Sequence, residues 1–121
     1  MSTKAAGANA PVLILTPNAL EAADISDYLL RRGYPAVSSE TRLDGLANPL
    51  EFTARAPHMV FFGFPLSDPA ARDWLRSAMV TEWRIILING DTTEPELQAL
   101  PMLSRPFATP HLDAVMQLLG E

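Results

Sequence analysis

Short apolar runs recur along the chain at residues 11–15, 59–64 and 84–88, and each is followed within two residues by a proline or an asparagine. Runs of this length that are apolar at nearly every position are typical of strands buried on both faces, as in a parallel sheet. Weaker runs at 35–39 and 102–104 indicate a second strand and a short fifth strand. The pattern therefore predicts five strands.

A helical pattern follows the first run. It begins at Asn18, a residue type that caps helix N-termini, and ends at Gly33, a residue type that favours the position just after a helix. Ala22, Ile25 and Leu29 lie at helical spacing and predict a buried stripe. The acidic residues of this helix are predicted to point away from that stripe, and they are Glu21, Asp24 and Asp27.

Capping residues, prolines and apolar spacing predict further helices. These helices cover 50–56, 67–79 with Ser67 or Asp68 as its cap, 93–100, and the chain from Thr109 onward, while 40–49 is predicted to be a loop. Strands that alternate with helices through short connections indicate a parallel sheet with helices on both sides. We therefore predict a doubly wound, flavodoxin-like α/β fold with strand order 2-1-3-4-5.

Length and composition indicate one domain. The chain has 121 residues, of which 48% are hydrophobic and 19% are charged, as expected of a globular domain that spans residues 11–121. Residues 1–10 are small and polar, lack the apolar core of a signal peptide, and are predicted to be a disordered lead-in. No apolar stretch approaches the roughly 20 residues that span a bilayer. The expected location is the cytoplasm.

Charge and residue types exclude several kinds of function. A net charge of -5 argues against sequence-independent binding to nucleic acid or to anionic membranes. Because the chain has no cysteine, it has no disulfide, no thiolate nucleophile and no cysteine metal site. Its two histidines are far apart in the sequence, which makes a zinc site unexpected. We expect neither a metal nor a cofactor.

Parallel α/β sheets carry their chemistry at the carboxyl ends of the strands. In this chain the residues at those ends are Thr16, Pro17, Asn18, Gly63, Asn89 and Arg105. Gly63 is the unusual member, because a residue without a side chain supplies no reactive group. For Arg105 two interpretations stay open, since a guanidinium can bind an anion or a partner's carboxylate and can equally tether a loop.

Three segments and the order of the elements resemble the receiver domain of bacterial response regulators, from about residue 11 to the C-terminus. The segments are LLRRGYPAV, PHMVFFGFP and LSRPF. In that family two acids after the first strand hold Mg²⁺, an aspartate ending the third strand accepts a phosphoryl group, and a hydroxyl and a lysine contact its oxygens. The matching positions here are Thr16 and Pro17 for the acids, Gly63 for the aspartate, Asn89 for the hydroxyl and Arg105 for the lysine.

The resemblance thus implies a member of the family that lacks the usual chemistry. Gly63 has no carboxylate to act as a nucleophile, and Thr16 and Pro17 supply no charge for a hard cation. We therefore predict no phosphoryl transfer and no enzyme activity. A displaced acceptor at Ser67 or Asp68 is a weaker alternative, because helix capping explains both residues.

The resemblance carries two further implications. The position of the family's aromatic switch residue falls on Met102. The bond before Pro106 becomes a candidate for the cis form, which for a proline without such an analogy is a minority state.

The leading hypothesis is an atypical stand-alone receiver-like signalling module that acts by phosphorylation-independent protein–protein interaction in a two-component-type pathway. Its expected partners are a histidine kinase, a regulator or an output protein, or a second copy of the chain. By resemblance, the interface is the surface of the fourth predicted helix, the fifth strand and the last helix. The residues expected there are Glu94, Glu96, Gln98, Met102, His111, Asp113 and Gln117.

The alternative comes from another class of protein. A small flavodoxin-like ligand-binding protein or enzyme would hold a phosphate-bearing ligand between Thr16, Gly63, Asn89 and Arg105. Against it, no Gly-rich phosphate loop follows the first strand, and Pro17 has no backbone N–H to offer a phosphate.

Overall fold

The computed structural model describes residues 11–34, 36–44, 46, 49, 57–89 and 95–120. Within them the order of elements is β1 Val12–Leu15, α1 Ala19–Arg31, β2 Val37–Glu40, β3 Met59–Phe62, α2 Pro69–Met79, β4 Arg84–Ile88, α3 Pro95–Gln98, β5 Met102–Leu103 and α4 Thr109–Leu118. The strands form one five-stranded sheet in the order β2-β1-β3-β4-β5. Every neighbouring pair is parallel, which confirms the predicted flavodoxin-like topology.

The central strands are apolar throughout because helices cover both faces of the sheet. All four residues of β1 and of β3 are buried, so the alternating pattern of a half-exposed strand is absent from them. The residues of one face pack with α1 and α4, and those of the other face pack with α2. The chain therefore buries two apolar layers around one sheet. Because all the strands are parallel, their carboxyl ends lie at a single edge.

The first helix begins and ends as its residues predict. The Asn18 side chain accepts hydrogen bonds from the backbone N–H groups of Leu20 and Glu21, both at 3.1 Å. Gly33 takes a left-handed conformation with φ of 96°, which a glycine adopts without steric cost. The predicted stripe is buried, but Glu21 is buried with it, contrary to the expectation that this side chain points away.

The start of α2 decides between the two predicted caps. The Asp68 carboxylate accepts a hydrogen bond from the backbone N–H of Ala70 at 3.0 Å, and Pro69 occupies the first turn. Asp68 is therefore the cap. The Ser67 hydroxyl takes no part in capping and lies exposed beside the carboxyl edge of the sheet.

Element boundaries differ from the predicted ones at several places. β3 ends at Phe62 rather than at 64: the Gly63 N–H still bonds to the Leu15 carbonyl of β1 at 2.6 Å, and after it the chain leaves the sheet. β2 starts two residues later than predicted, at Val37. The predicted lead-in at 1–10, the predicted helix at 50–56 and the start of the predicted helix at 93–100 lie outside the described residues. Among the residues that the structure describes, no helix has the length and apolar character needed to cross a bilayer.

Candidate functional site

The ends of β1, β3 and β4 lie side by side at the carboxyl edge of the sheet. Register pairs Leu15 with Phe62, and Phe62 with Leu87. The residues that follow these strands therefore meet, and the Asn89 N–H joins the edge to β5 through a 2.6 Å hydrogen bond to the Leu103 carbonyl. Thr16, Gly63, Asn89 and Arg105 therefore lie close together at this edge of the sheet.

Gly63 occupies a place where even a Cβ atom would be crowded. A Cβ atom built on Gly63 would lie 3.2 Å from Nη2 of Arg105, 3.2 Å from Cβ of Thr16 and 3.3 Å from Cβ of Ile88. The Gly63 carbonyl also accepts a hydrogen bond from Nη2 of Arg105 at 3.4 Å. The guanidinium of Arg105 therefore lies against the backbone of Gly63.

Arg105 forms a two-pronged ion pair with Glu21. Nε of Arg105 lies 2.6 Å from Oε2 of Glu21, and Nη2 lies 2.9 Å from Oε1. The Glu21 side chain is 8% exposed, while that of Arg105 is 35% exposed. Planar contacts of this kind fix orientation as well as charge, so the pair holds the loop after β5 against the first turn of α1.

Thr16 lies beneath the Arg105–Glu21 ion pair and bonds to its carboxylate. Its side chain is fully buried, and its hydroxyl donates to Oε1 of Glu21 at 2.8 Å while it accepts the N–H of Asn18 at 3.2 Å. We call the three side chains of Thr16, Glu21 and Arg105, with the backbone of Gly63, the edge network. All its buried side-chain polar atoms have a hydrogen-bond partner.

Both charges of the edge network are stable at neutral pH. Burial acts to raise the pKa of the Glu21 carboxyl, but the hydrogen bonds from Arg105 and Thr16 and the guanidinium charge together outweigh it and leave that pKa below its usual value. The hydrogen bond to Glu21 raises the pKa of the Arg105 guanidinium further. A proton therefore has no tendency to move between the two groups, which suits a structural tether rather than an acid–base catalyst.

The other predicted edge residues have simpler surroundings. Pro17 is exposed, and Asn18 caps α1 as described. Asn89 has a φ of 54°, a left-handed conformation that asparagine tolerates, and its Oδ1 accepts the N–H of Arg105 at 3.4 Å. The bond between Arg105 and Pro106 is cis, the form that the resemblance suggested.

Glu21 is the site residue that sequence reasoning missed. It lies four residues before Ile25 and seven before Tyr28, and all three are buried, so the helical spacing that predicts the apolar stripe also includes Glu21. A second signal was its place in the first turn after β1, which brings it to the same sheet edge as the cation that follows β5. Acidic side chains are usually solvated, and for that reason Glu21 is predicted from the sequence to point away from the buried stripe.

Within the described residues, Arg105 lines two cavities at this edge. A groove of about 800 Å³ runs between α1 and the start of α4, with Leu20, Asp24, Tyr28 and Phe107 among its lining residues. A smaller cavity of about 250 Å³ lies beside Gly63. Thr16 lines neither cavity, because its side chain is buried beneath the edge network.

The residues predicted for a partner interface are spread over different surroundings. Glu96 pairs with Arg76 of α2 at 3.5 Å, and Nδ1 of His111 accepts the N–H of Ala108 at 2.9 Å. Asp113 contacts α1, where it accepts the Tyr28 hydroxyl at 2.6 Å and pairs with Arg32 at 3.6 Å. Gln98 and Gln117 are exposed and Met102 is 37% exposed, while Glu94 lies outside the described residues.

No family model matches the chain. No curated protein matches it at a significant level. Within the described ranges, no three His, Cys, Asp or Glu side chains come together as they would around a metal ion.

Proposed function

We propose that this protein is a receiver-like binding module that acts by phosphorylation-independent protein–protein interaction in a two-component-type pathway, and that it is not an enzyme. The observation that carries the proposal is the edge network. At the place where a receiver would hold an aspartate and a cation, this chain has an internal ion pair laid across a glycine.

The chemistry of the edge network supports this proposal. Phosphoryl transfer to a carboxylate needs a nucleophile that an incoming donor can reach, together with a cation that offsets the developing charge. The carboxylate of Glu21 is 8% exposed, and both of its oxygens accept hydrogen bonds from Arg105. A carboxylate held in this way is neither accessible nor free to bind a metal ion.

The surface offers two regions for a protein partner. The groove between α1 and α4 is concave and has an exposed apolar side chain, Leu20, at its rim. The second region is the surface of α3, β5 and α4, where Met102 of β5 and Leu118 of α4 are exposed apolar residues. On the proposal, a histidine kinase, a regulator, an output protein or a second copy of the chain binds one of these regions.

A first experiment tests the chemical half of the proposal. The purified protein is incubated with acetyl phosphate and Mg²⁺, and its intact mass is measured over time beside a sample with EDTA. We expect no mass increase of one phosphoryl group in either sample. A Mg²⁺-dependent adduct would contradict the proposal, and Ser67→Ala would then show whether the displaced acceptor at Ser67 is responsible.

A second experiment tests the binding half. Proteins encoded by neighbouring genes, and a second copy of the chain, are assayed for association with the wild type in EDTA. Leu20→Asp is expected to abolish binding through the groove and Met102→Asp binding through the α3–β5–α4 surface. Val80→Asp, at a residue 71% exposed after the end of α2, is the matched control. Binding that requires Mg²⁺ would contradict the proposal.

The alternative function, binding of a phosphate-bearing ligand, cannot use Thr16 as a contact residue. The Thr16 hydroxyl donates to Glu21 beneath the surface, so it cannot contact a ligand in either cavity. A thermal-shift screen with nucleotides and flavins tests this class of function, because a ligand that binds only the folded state raises the melting temperature.

A further inference from the structure

β2 lies at one edge of the sheet, and within the described part of the chain no strand pairs with its outer side. The carbonyls of Ala36 and Glu40 accept hydrogen bonds from β1, and the direction of the backbone groups alternates along a strand. The N–H and C=O groups of Val37 and Ser39 therefore point away from the sheet, and no described residue bonds to them. Backbone groups in this arrangement are a template for one kind of occupant, another extended strand.

The residues of β2 do not protect this edge. Natural edge strands commonly carry a lysine, a proline or a bulge that prevents pairing with another chain. β2 has the sequence VSSE, pairs one-to-one with β1 without a bulge, and has Glu40 as its one charged residue. Ser38 and Ser39 are exposed, and their small side chains let a second backbone approach. The edge is therefore accessible to a partner strand.

One side of α1 flanks this open edge. Asp24 and Arg31 line the groove toward α4 and mark the side of the helix that faces it. Ala23, Ser26 and Leu30 recur at helical spacing on the other side, away from the groove. Because α1 packs over β1 and β2, that side lies toward β2 and the edge of the sheet. Leu30 is 51% exposed, so an apolar side chain lies beside the open backbone groups.

From the open edge and the helix beside it we infer that two copies of the chain associate through β2, which pairs antiparallel with β2 of the second copy about a two-fold axis. The register that satisfies the outward groups has its centre at Ser38. Val37 of each copy then exchanges N–H···O bonds in both directions with Ser39 of the other copy. The two sheets become one continuous sheet, and neither copy keeps β2 as an unpaired edge.

Two observations select this register over one centred on Ser39. The pairing about Ser38 uses Val37 and Ser39, both within β2, whereas a centre at Ser39 also needs Thr41, which lies beyond the strand. The centre at Ser38 also keeps the two Glu40 carboxylates roughly 13 Å apart along the strands, against about 7 Å in the other register. Because like charges repel across a strand pair, the wider spacing is favoured.

The helices favour a second copy over an unrelated strand as the occupant. Antiparallel pairing places both α1 helices on the same face of the joined sheet. Because α1 lies over β1 and β2 and strands are about 4.8 Å apart, the two helix axes lie roughly 10 Å from each other, close to the distance of packed helices. Leu30 of each copy then faces Ala23 of the other, with Ser26 near the axis. A lone peptide strand would leave Leu30 exposed.

The first test compares two substitutions of one residue. Analytical ultracentrifugation of the wild type up to about 1 mM measures the association and covers the weak affinity expected of a short strand pair. Ser39→Pro removes the outward N–H, and proline is tolerated on edge strands where that N–H faces solvent. We expect it to raise the dissociation constant at least about tenfold. Ser39→Ala keeps the N–H and is expected to leave the dissociation constant unchanged.

A second test fixes the register. The two Ser38 residues face each other as a pair without mutual hydrogen bonds, with Cα atoms about 4.5 Å apart, which lies within the range of roughly 4.4–6.8 Å for a disulfide. The chain has no cysteine, so Ser38→Cys can form a disulfide only with the same position of a second copy. With oxidised glutathione as oxidant, we expect this variant to form a cross-linked dimer faster than Ser67→Cys. Ser67 is exposed and outside the sheet, which makes it the matched control.

A third variant tests the helix contact. Leu30→Asp places a charge where the two α1 helices meet, and we expect the dissociation constant to rise by about tenfold. Val80→Asp, at a residue 71% exposed after the end of α2, is the control and is expected to leave association unchanged. Urea unfolding of each variant at low protein concentration confirms that it is folded before association is compared.

Three results would overturn the inference. They are an absence of wild-type association up to about 1 mM, a dissociation constant that Ser39→Pro leaves unchanged, and cross-linking of Ser38→Cys no faster than that of Ser67→Cys. The edge of β2 is separate from both regions of the proposed function. Dimerisation that Leu20→Asp or Met102→Asp abolishes and Ser39→Pro leaves intact would place the second copy on one of those regions and overturn the inference. A protein that does not dimerise through β2 can still bind its partner.

Discussion

Replacing Arg105 by methionine removes the guanidinium of the edge network and keeps most of the side chain's apolar volume. The Glu21 carboxylate then stays 8% exposed with only the Thr16 hydroxyl as a partner. Breaking a buried pair in this way costs roughly 3–5 kcal/mol. Because Arg105 is 35% exposed and solvent screens its charge, we expect the low end, about 3 kcal/mol of unfolding free energy.

Replacing the other partner of the ion pair, Glu21, should lower the unfolding free energy much less. In Glu21→Gln the charge left behind is that of Arg105, which is exposed enough to be hydrated again, so we expect about 1 kcal/mol. The double variant should be more stable than Arg105→Met alone, because it contains no unpaired buried carboxylate. The free energies come from urea unfolding at about pH 7 by the linear extrapolation method.

The pH dependence checks the same reasoning. In the wild type the pKa of Glu21 is lower in the folded state than in the unfolded state. The contribution of Glu21 to the unfolding free energy is therefore present above the unfolded-state pKa and is lost as pH falls through the folded-state pKa. In Arg105→Met burial raises that pKa instead, so the difference from wild type should shrink in acid. If Glu21→Gln costs as much as Arg105→Met, or if the double variant is the least stable of the three, the assignment of the buried charge is wrong.

Two other substitutions follow from the contacts described above. Gly63→Ala should lower the unfolding free energy by about 1–3 kcal/mol in urea unfolding, because its Cβ meets Thr16 and Ile88 in the core, and a loss below about 0.5 kcal/mol would contradict this packing. Tyr28→Phe removes the 2.6 Å bond to Asp113 at a cost of about 1 kcal/mol. Burial raises the pKa of Tyr28 to about 12. The contribution of Tyr28 should therefore be present below about pH 10 and be lost as pH rises through about 12, and a fall in stability that Tyr28→Phe does not alter would refute it.

Local pattern was enough to predict the five strands, the sheet topology and the helices that the structure describes. Runs such as Met59–Phe62 are buried on both faces, and only a parallel sheet covered by helices on both sides accommodates several of them. Asn18 and Gly33 mark the ends of α1 because capping and a left-handed φ depend on neighbouring residues alone. The choice between Ser67 and Asp68 was open in the sequence, since either residue type can cap the helix that follows.

The membership of the candidate site was also largely predictable. Thr16, Gly63, Asn89 and Arg105 follow different strands, and the parallel topology brings the ends of those strands to one edge. What these residues do there was not predictable. In the ligand-binding alternative Thr16 contacts the ligand, but in the structure its hydroxyl lies beneath Glu21, while Ser67 lines the cavity that Thr16 does not reach.

The sequence by itself therefore determined which residues lie at the edge of the sheet and that residue 63 offers no carboxylate there. Only the tertiary structure decided that Glu21 enters this edge and pairs with Arg105, residues that are 84 positions apart in the chain. The reason is physical. From sequence pattern alone, a charged side chain is predicted to be exposed to solvent. Its burial becomes favourable only when the completed fold holds a distant partner of opposite charge within hydrogen-bonding distance.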